Sequence, residues 1–449
     1  MSNKPVRGLK VGRYRITPLG LAVLAILLIA LIAAVVLAVL HPFGGGEDVT
    51  ATAANVIPQQ APQAAPQAQG EIVPEGDAIQ VEVAPEATPE PTPEPTPEPR
   101  QLRTATIRSL GEIAMQQNLL RAAVSENTFD FSGMFSYISD VIGSADYTVA
   151  DVEGTLGGTT EYSGSTRMVT PPALIGTLRN AGVDMLMLAN DHALDGGFEE
   201  LQATIANCAA EGMDYVGAAA SAEERATPVI RNIGGINVGF IAYTESLNGN
   251  EKNADAAATE YGVNLISKSN AKKDIDDARA AGADVIVCYC SWGEMLKASP
   301  TDSEKKIARQ LAAWGVDVII GYNPHVVQPV GWLENKDDAG NVHRTLCLGA
   351  TGNFLSDQYG EYDNGIIFQF TIQEAEDGSF AITSPVYIPT FVWRSSAEDG
   401  KFNYHTLAVG QWLETEPEGM DYTDAARMRQ VWADIQKTMG DTVATVSAQ

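Results

Sequence analysis

"VDMLMLANDHALDGG", residues 183–197, runs from an apolar stretch straight into Asn190, Asp191, His192 and Asp195. The apolar part has the length and texture of a strand buried on both faces. The polar residues fall where that strand should end. A helix N-cap accounts for one polar residue at such a place. It does not account for an imidazole placed there by a chain with 5 histidines in 449 residues.

The same alternation recurs downstream and upstream. The β-rich runs "YTVADVEG" (147–154), "INVGFIAYTES" (236–246), "ADVIVCYCSWGE" (283–294), "VDVIIGYNPHVVQP" (316–329), "TLCLGATGNF" (345–354), "GIIFQFTI" (365–372) and "PVYIPTFVW" (385–393) end in polar or glycine-containing turns. Between them, "PPALIGTLRNAG" (171–182), "GFEELQATIANCAAEG" (197–212) and "SEKKIARQLAAWG" (303–315) carry apolar residues at helical spacing and a closing glycine. Strand, loop and helix in this order predict an α/β domain, a largely parallel sheet buried by helices.

Ligands bind such sheets at the carboxyl ends of the strands. The polar clusters of this chain all fall there: Gly111 with Glu112, Asp151 with Glu153, Asn190 to Asp195, Ser291 and Trp292 with Glu294, Asn323 with His325, and Asn353. A single Asp after a strand is ordinarily a cap or turn residue. Carboxylate, amide and imidazole converging on one sheet edge are ligands suited to Mn²⁺, Mg²⁺, Ca²⁺ or Zn²⁺.

Composition limits the partners. The formal charge is −28, from 29 basic and 57 acidic residues. Lys4, Arg7, Lys10, Arg13 and Arg15 precede residue 18, where there is no acid, so the remainder stands near −33. Such a surface repels polyanions and argues against nucleic acid. Residues 19–40, "LGLAVLAILLIALIAAVVLAVL", hold no charge and no proline and are long enough to cross a membrane as one helix. The basic residues before them put the N-terminus (1–18) in the cytoplasm and the large C-terminal part outside the cell membrane. A cleaved signal peptide is the alternative. Residues 41–103, ending in "ATPEPTPEPTPEPR", favour extended polyproline II and read as a disordered extracellular stalk.

In order and spacing, the motifs resemble the poly-γ-glutamate capsule-synthesis (CapA) family, whose fold is that of the calcineurin-like metallophosphoesterases. "LANDHALDGG" is similar to that family's "LANNHALDYG", "GYNPHVVQP" to "GHHPHVVQP", "SWGE" to "HWGxE", "LGATGNF" to "YSLGNF" and "DVEG" to "NLEG". The resemblance covers residues 104–395 and leaves 396–449 as a C-terminal extension. It implies helices flanking central β-sheets in a metallophosphoesterase-like sandwich, and a role in synthesis or handling of an anionic cell-surface polymer, alone or with membrane proteins of a synthesis complex. Three family histidines are replaced here, by Ser291, Tyr322 and Asn323, while Glu112 and Asp191 stand for Asp and Asn. This exchange of nitrogen for oxygen favours Mg²⁺, Mn²⁺ or Ca²⁺ over Zn²⁺, or leaves the site without metal.

The resemblance implies metal ligands among Glu112, Asp151, Glu153, Asp191, His192, Asn323 and His325. It implies catalytic roles for Asn190, Asp191, His192 and His325, and substrate contacts from Arg167, Trp292, Glu294 and Asn353. Two functions are compatible with it: a metal-dependent hydrolase of a cell-envelope substrate, or a polymer-handling module with a weakened site. Arg167, Lys297 and Arg344 are the basic residues nearest the motifs. Cys288 and Cys290, two apart on one strand face, are expected as buried free thiols. "YTDAARMRQVWADIQKTMGDTV" (422–443) predicts a helix capped near Thr423 or Asp424, with Met428, Val431, Trp432 and Ile435 on its packing face.

Overall fold

The computed structural model describes residues 100–446, apart from 253, 268, 337–341 and 398–400, and, on their own, the paired strands Lys10–Val11 and Tyr14–Arg15. The apolar run 19–40 and the proline-rich segment before residue 100 lie outside the described residues. Among the described residues no helix is long and apolar enough to cross a membrane.

The apolar runs build two sheets. The first has the order β4 (Asp214–Val216), β3 (Met185–Met187), β2 (Tyr147–Val152), β1 (Thr104–Ile113), β12 (Asn364–Glu374), β13 (Phe380–Ser396), β14 (Phe402–Ala408). A short strand, β11 (Asn353–Leu355), pairs with β1 off this path. The second has the order β5 (Val229–Ile233), β6 (Ile236–Thr244), β7 (Val285–Ser291), β8 (Val318–Tyr322), β10 (Val342–Leu348), β9 (Val330–Lys336). The expectation, from periodicity, of a largely parallel sheet is corrected, while the α/β class and more than one central sheet agree with the resemblance. Strands β4 to β1 and β6, β7, β8 and β10 are parallel, but β12, β13 and β14 run antiparallel, as do β5 with β6 and β9 with β10. Helical crossovers feed the parallel strands, whereas tight connections such as Gly234-Gly235 allow only hairpins.

Alternation along the strands holds the two sheets together. Val238, Phe240 and Ala242 of β6 and Val285, Val287 and Tyr289 of β7 face a core shared with Ile107 and Val149 of the first sheet. Tyr147 stacks on Phe240 with centroids 5.4 Å apart, and Tyr322 donates its hydroxyl to Leu110 O at 3.2 Å. The alternate residues Ile286, Cys288 and Cys290 face a second core under helices α4 (Ala271–Ala280) and α5 (Asp302–Ala313). Cys288 and Cys290 are free, their sulfurs 3.8 Å apart. Helix α1 (Gln117–Ala123) follows β1, and helices α2 (Ala173–Ala181) and α3 (Phe198–Glu211) end at Gly182 and Gly212 in the left-handed conformation, φ 101° and 65°.

The boundary drawn at residue 395 falls inside β13, and the chain beyond it is not an appendage. Strand β14 continues the first sheet, and helix α6 (Tyr422–Met439) buries Met428, Val431 and Ile435 in the same core. Its N-cap is Asp421, which accepts from the Thr423 and Asp424 amides and so lies ahead of the expected cap.

Candidate metal centre

Glu112 lies at the end of β1, opposite Asp151 of β2 on one side and Asn353 of β11 on the other. Glycine at 111 permits this: a Cβ there would sit 2.5 Å from Gly352 O and 2.9 Å from Phe354 N. Glu153 follows β2 directly, its amide bound to Ile113 O at 3.0 Å. His325 comes from the other sheet, in the turn after β8, where Asn323 and His325 both take positive φ, 91° and 57°. Two left-handed non-glycine residues in three positions mark a turn held by its surroundings.

One ligand atom each from Glu112, Glu153 and His325 lies within 4.8 Å of the others, and all three residues are buried. His325 Nδ1 is 3.0 Å from Glu112 Oε2 and 3.0 Å from Asn353 Oδ1, and its Nε2 is 3.6 Å from Glu153 Oε1. The His325 amide donates to Glu112 Oε1 at 3.3 Å. Asn190 donates to Asp151 Oδ1 at 3.0 Å and to Val152 O at 2.9 Å, and accepts from the Gly154 amide.

Burial, then the charges of Glu153 and Glu112, pushes the Asp151 carboxyl well above its ordinary range. Burial also raises Glu153, against the opposing pull of His325. For His325 burial disfavours the charged ring, but Glu112 and Glu153 outweigh it and hold the ring well above its usual value. Buried carboxylates this close carry a cost unless a cation compensates them. Glu112 Oε2 is buried and has the His325 ring, 3.0 Å away, as its counter-charge. An oxygen-rich set with two buried carboxylates gathered on one imidazole fits a divalent ion of the Mg²⁺ or Mn²⁺ type.

Asp191 and His192 stand at the rim, about a fifth exposed, with His192 Nε2 3.9 Å from Asp191 Oδ2. His192 Nδ1 is 2.5 Å from Asp195 Oδ2, an oxygen that also accepts from the Met168 amide at 2.7 Å, while Asn250 donates to Asp195 Oδ1 at 2.8 Å. Burial opposes the His192 charge, but this bond and the carboxylates of Asp191 and Glu153 raise the ring to about 9. Asp195 was visible in the motif without an assigned role; its spacing of three from His192 within one turn was the available signal.

Other candidates lie elsewhere. The Asn323 amide group donates to Trp292 O at 2.9 Å, bracing the turn. Trp292 is buried in the second core with its indole N–H on Gly349 O. Glu294 is exposed and pairs with Lys297 at 3.3 Å, and Arg167 donates to the Asp195 carbonyl at 2.7 Å.

The pattern that defines the bacterial capsule synthesis protein PGA_cap family matches residues 106–358. The chain belongs to this family. It is 23% identical over 261 residues to the PGA biosynthesis protein CapA of Bacillus subtilis, covering 56% of this chain and 64% of that one. To the capsule biosynthesis protein CapA of Bacillus anthracis it is 24% identical over 267 residues, covering 58% and 61%. It thus spans less than two thirds of the length of either relative. Among solved structures it is similar to the calcineurin-like phosphoesterase YfkN of Bacillus subtilis, with 15% identity, TM-score 0.40 and coverage of 75% of this chain and 99% of that one. It is also similar to the NAD nucleotidase NadN of Haemophilus influenzae, with 11% identity, TM-score 0.42 and coverage of 78% and 65%. In this member of the family Tyr322, which the resemblance sets at the position of a family histidine, stacks its ring on Tyr289 at 6.1 Å inside the core. Ser291, at another, is buried at the end of β7.

Proposed function

We propose that the chain is a membrane-anchored capsule-synthesis protein that handles an anionic polymer outside the cell and holds a divalent ion at the Glu112, Glu153 and His325 cluster. The observation that carries this is the convergence of three buried ligand atoms within 4.8 Å, from two strand ends of one sheet and a strained turn of the other. Asp151, buried and held by Asn190, and Asp191, partly exposed, both lie near enough to feel the charge of Glu112. The CapA relatives named above support the polymer role, and the basic residues before the apolar run 19–40 support the anchor and its orientation.

A second reading, metal-dependent hydrolysis, draws on the pairing of His192 with Asp195. A bound divalent ion would supply Lewis-acid polarisation of a phosphoryl or carbonyl oxygen. The protein's own part is then proton transfer: His192, charged and oriented through Nδ1 by Asp195, offers Nε2 to a leaving group at the rim. Elemental analysis of the purified protein, before and after chelation, tests the metal. Close to stoichiometric Mn²⁺ or Mg²⁺ lost on chelation is expected; failure to take up either ion on supplementation would defeat both readings.

A further inference from the structure

Apart from the acidic cluster, a cavity of about 200 Å³ lies between β13, the start of α6 and residues 356–363. Its polar lining includes Tyr359, Asp363, Arg394, Tyr404, Asp424 and Arg427. Most of its charge is already engaged. Arg427 pairs with Asp363 at 2.7 Å, and Asp424 accepts the Trp393 indole N–H at 3.2 Å. Arg394 differs. No carboxylate is ion-paired with it among the described residues, in a chain of 57 acidic residues. Its guanidinium carbon sits 3.7 Å from the Tyr359 ring centroid and 4.1 Å from that of Phe402. Its Nε is buried without a hydrogen-bond partner, while the rest of the guanidinium meets the Tyr359 and Tyr404 hydroxyls and opposes the rise that burial gives them.

A guanidinium stacked between two rings is fixed in its plane, so it meets a ligand only along its N–H edge. The same stacking keeps it from swinging to Asp357 or Asp424, both near enough to feel its charge. A planar, always-charged guanidinium beside a cavity, with no carboxylate ion-paired to it among the described residues, is complementary to a carboxylate, which accepts N–H bonds along that edge. Phe391 and Val392 give the cavity an apolar wall for a short methylene chain. We propose that this cavity binds the carboxylate group of a small organic acid, held in plane by Arg394.

Glutarate is the probe and glutaramide its neutral isostere, both titrated calorimetrically into the full chain in detergent, with chelator present. Glutarate should bind, weakening with salt, and glutaramide should not. Arg394→Gln should weaken glutarate about tenfold or more, since a charge-assisted pair is lost, and Arg394→Lys should fall between. If Arg394→Gln does not fold, the glutarate and glutaramide comparison on the unaltered protein still decides. The proposal is overturned if glutarate does not bind, if glutaramide binds as well, if the Gln variant binds as the parent does, or if inorganic phosphate binds more tightly than glutarate.

Discussion

His325 is the residue on which the candidate centre turns, because within the cluster it is the ligand that comes from the second sheet to the carboxylates of the first. His325→Ala should weaken Mn²⁺ binding by more than about 100-fold, since loss of outer-shell support alone costs roughly 10- to 100-fold; metal retained at parental affinity would refute its ligand role. Asp151 gives a pH signature. Its carboxyl is raised in the folded chain, so the folded state holds a proton that the unfolded state has released above about pH 4. Stability of the metal-free protein should therefore fall as pH rises from that value toward the raised one, and Asp151→Asn should flatten the fall in thermal melts at graded pH. Metal must displace such protons, so affinity should climb over the same range with protons released on binding. At this scale the sequence was informative about residue type: Glu112, Glu153, His192 and His325 were legible because each follows an apolar run. It was silent on which atoms meet. Trp292 looked like a substrate contact, yet its ring is taken into the core, because its partner Gly349 lies 57 residues away.

Elements place these residues through close backbone approaches and one braced loop. Gly111 admits β11 against β1, and Gly111→Ala should destabilise the protein by at least about 3 kcal/mol, read as a loss in denaturant midpoint, because its Cβ would meet backbone atoms that cannot yield. The loop 190–197 is pinned by Asp195, which binds the Met168 amide, Asn250 and His192. In the metal-free protein, Asp195→Asn should drop the His192 ring from about 9 toward its ordinary value near 6.5, followed by NMR titration of the ring; an unchanged value would show that Asp191 and Glu153 suffice alone. The helix ends were readable locally, Gly182 and Gly212 through their left-handed conformation. The antiparallel half of the first sheet was not, since a strand's direction depends on which neighbour it finds and not on its own side chains.

For the whole molecule, the entry to β1 is fastened to the far end of β12 by Glu374, which takes Arg103 through two bonds of 2.8 Å and also pairs with Arg100. Hydrogen bonds from the Arg103 side chain and backbone hold the Glu374 carboxyl down to about 2. A depressed carboxylate contributes stability that is complete above its unfolded value near 4.3 and is lost as pH falls toward 2. Glu374→Gln should remove that acid-range slope from thermal melts, with the loss greatest at neutral pH; parallel curves for both proteins would refute the clamp. The chain's own sequence determined the α/β class, the strongly acidic charge, the cap glycines and the residue types gathered at strand ends, because these follow from local periodicity and composition. Only the tertiary structure decided which strands join which of the two large sheets, that residues after 395 complete the first, and that Tyr322 turns inward while His325 turns toward Glu112 and Glu153. Those outcomes depend on contacts between segments 213 residues apart, as in the His325 amide bond to Glu112, and no local pattern encodes which distant partner a strand or a turn will meet.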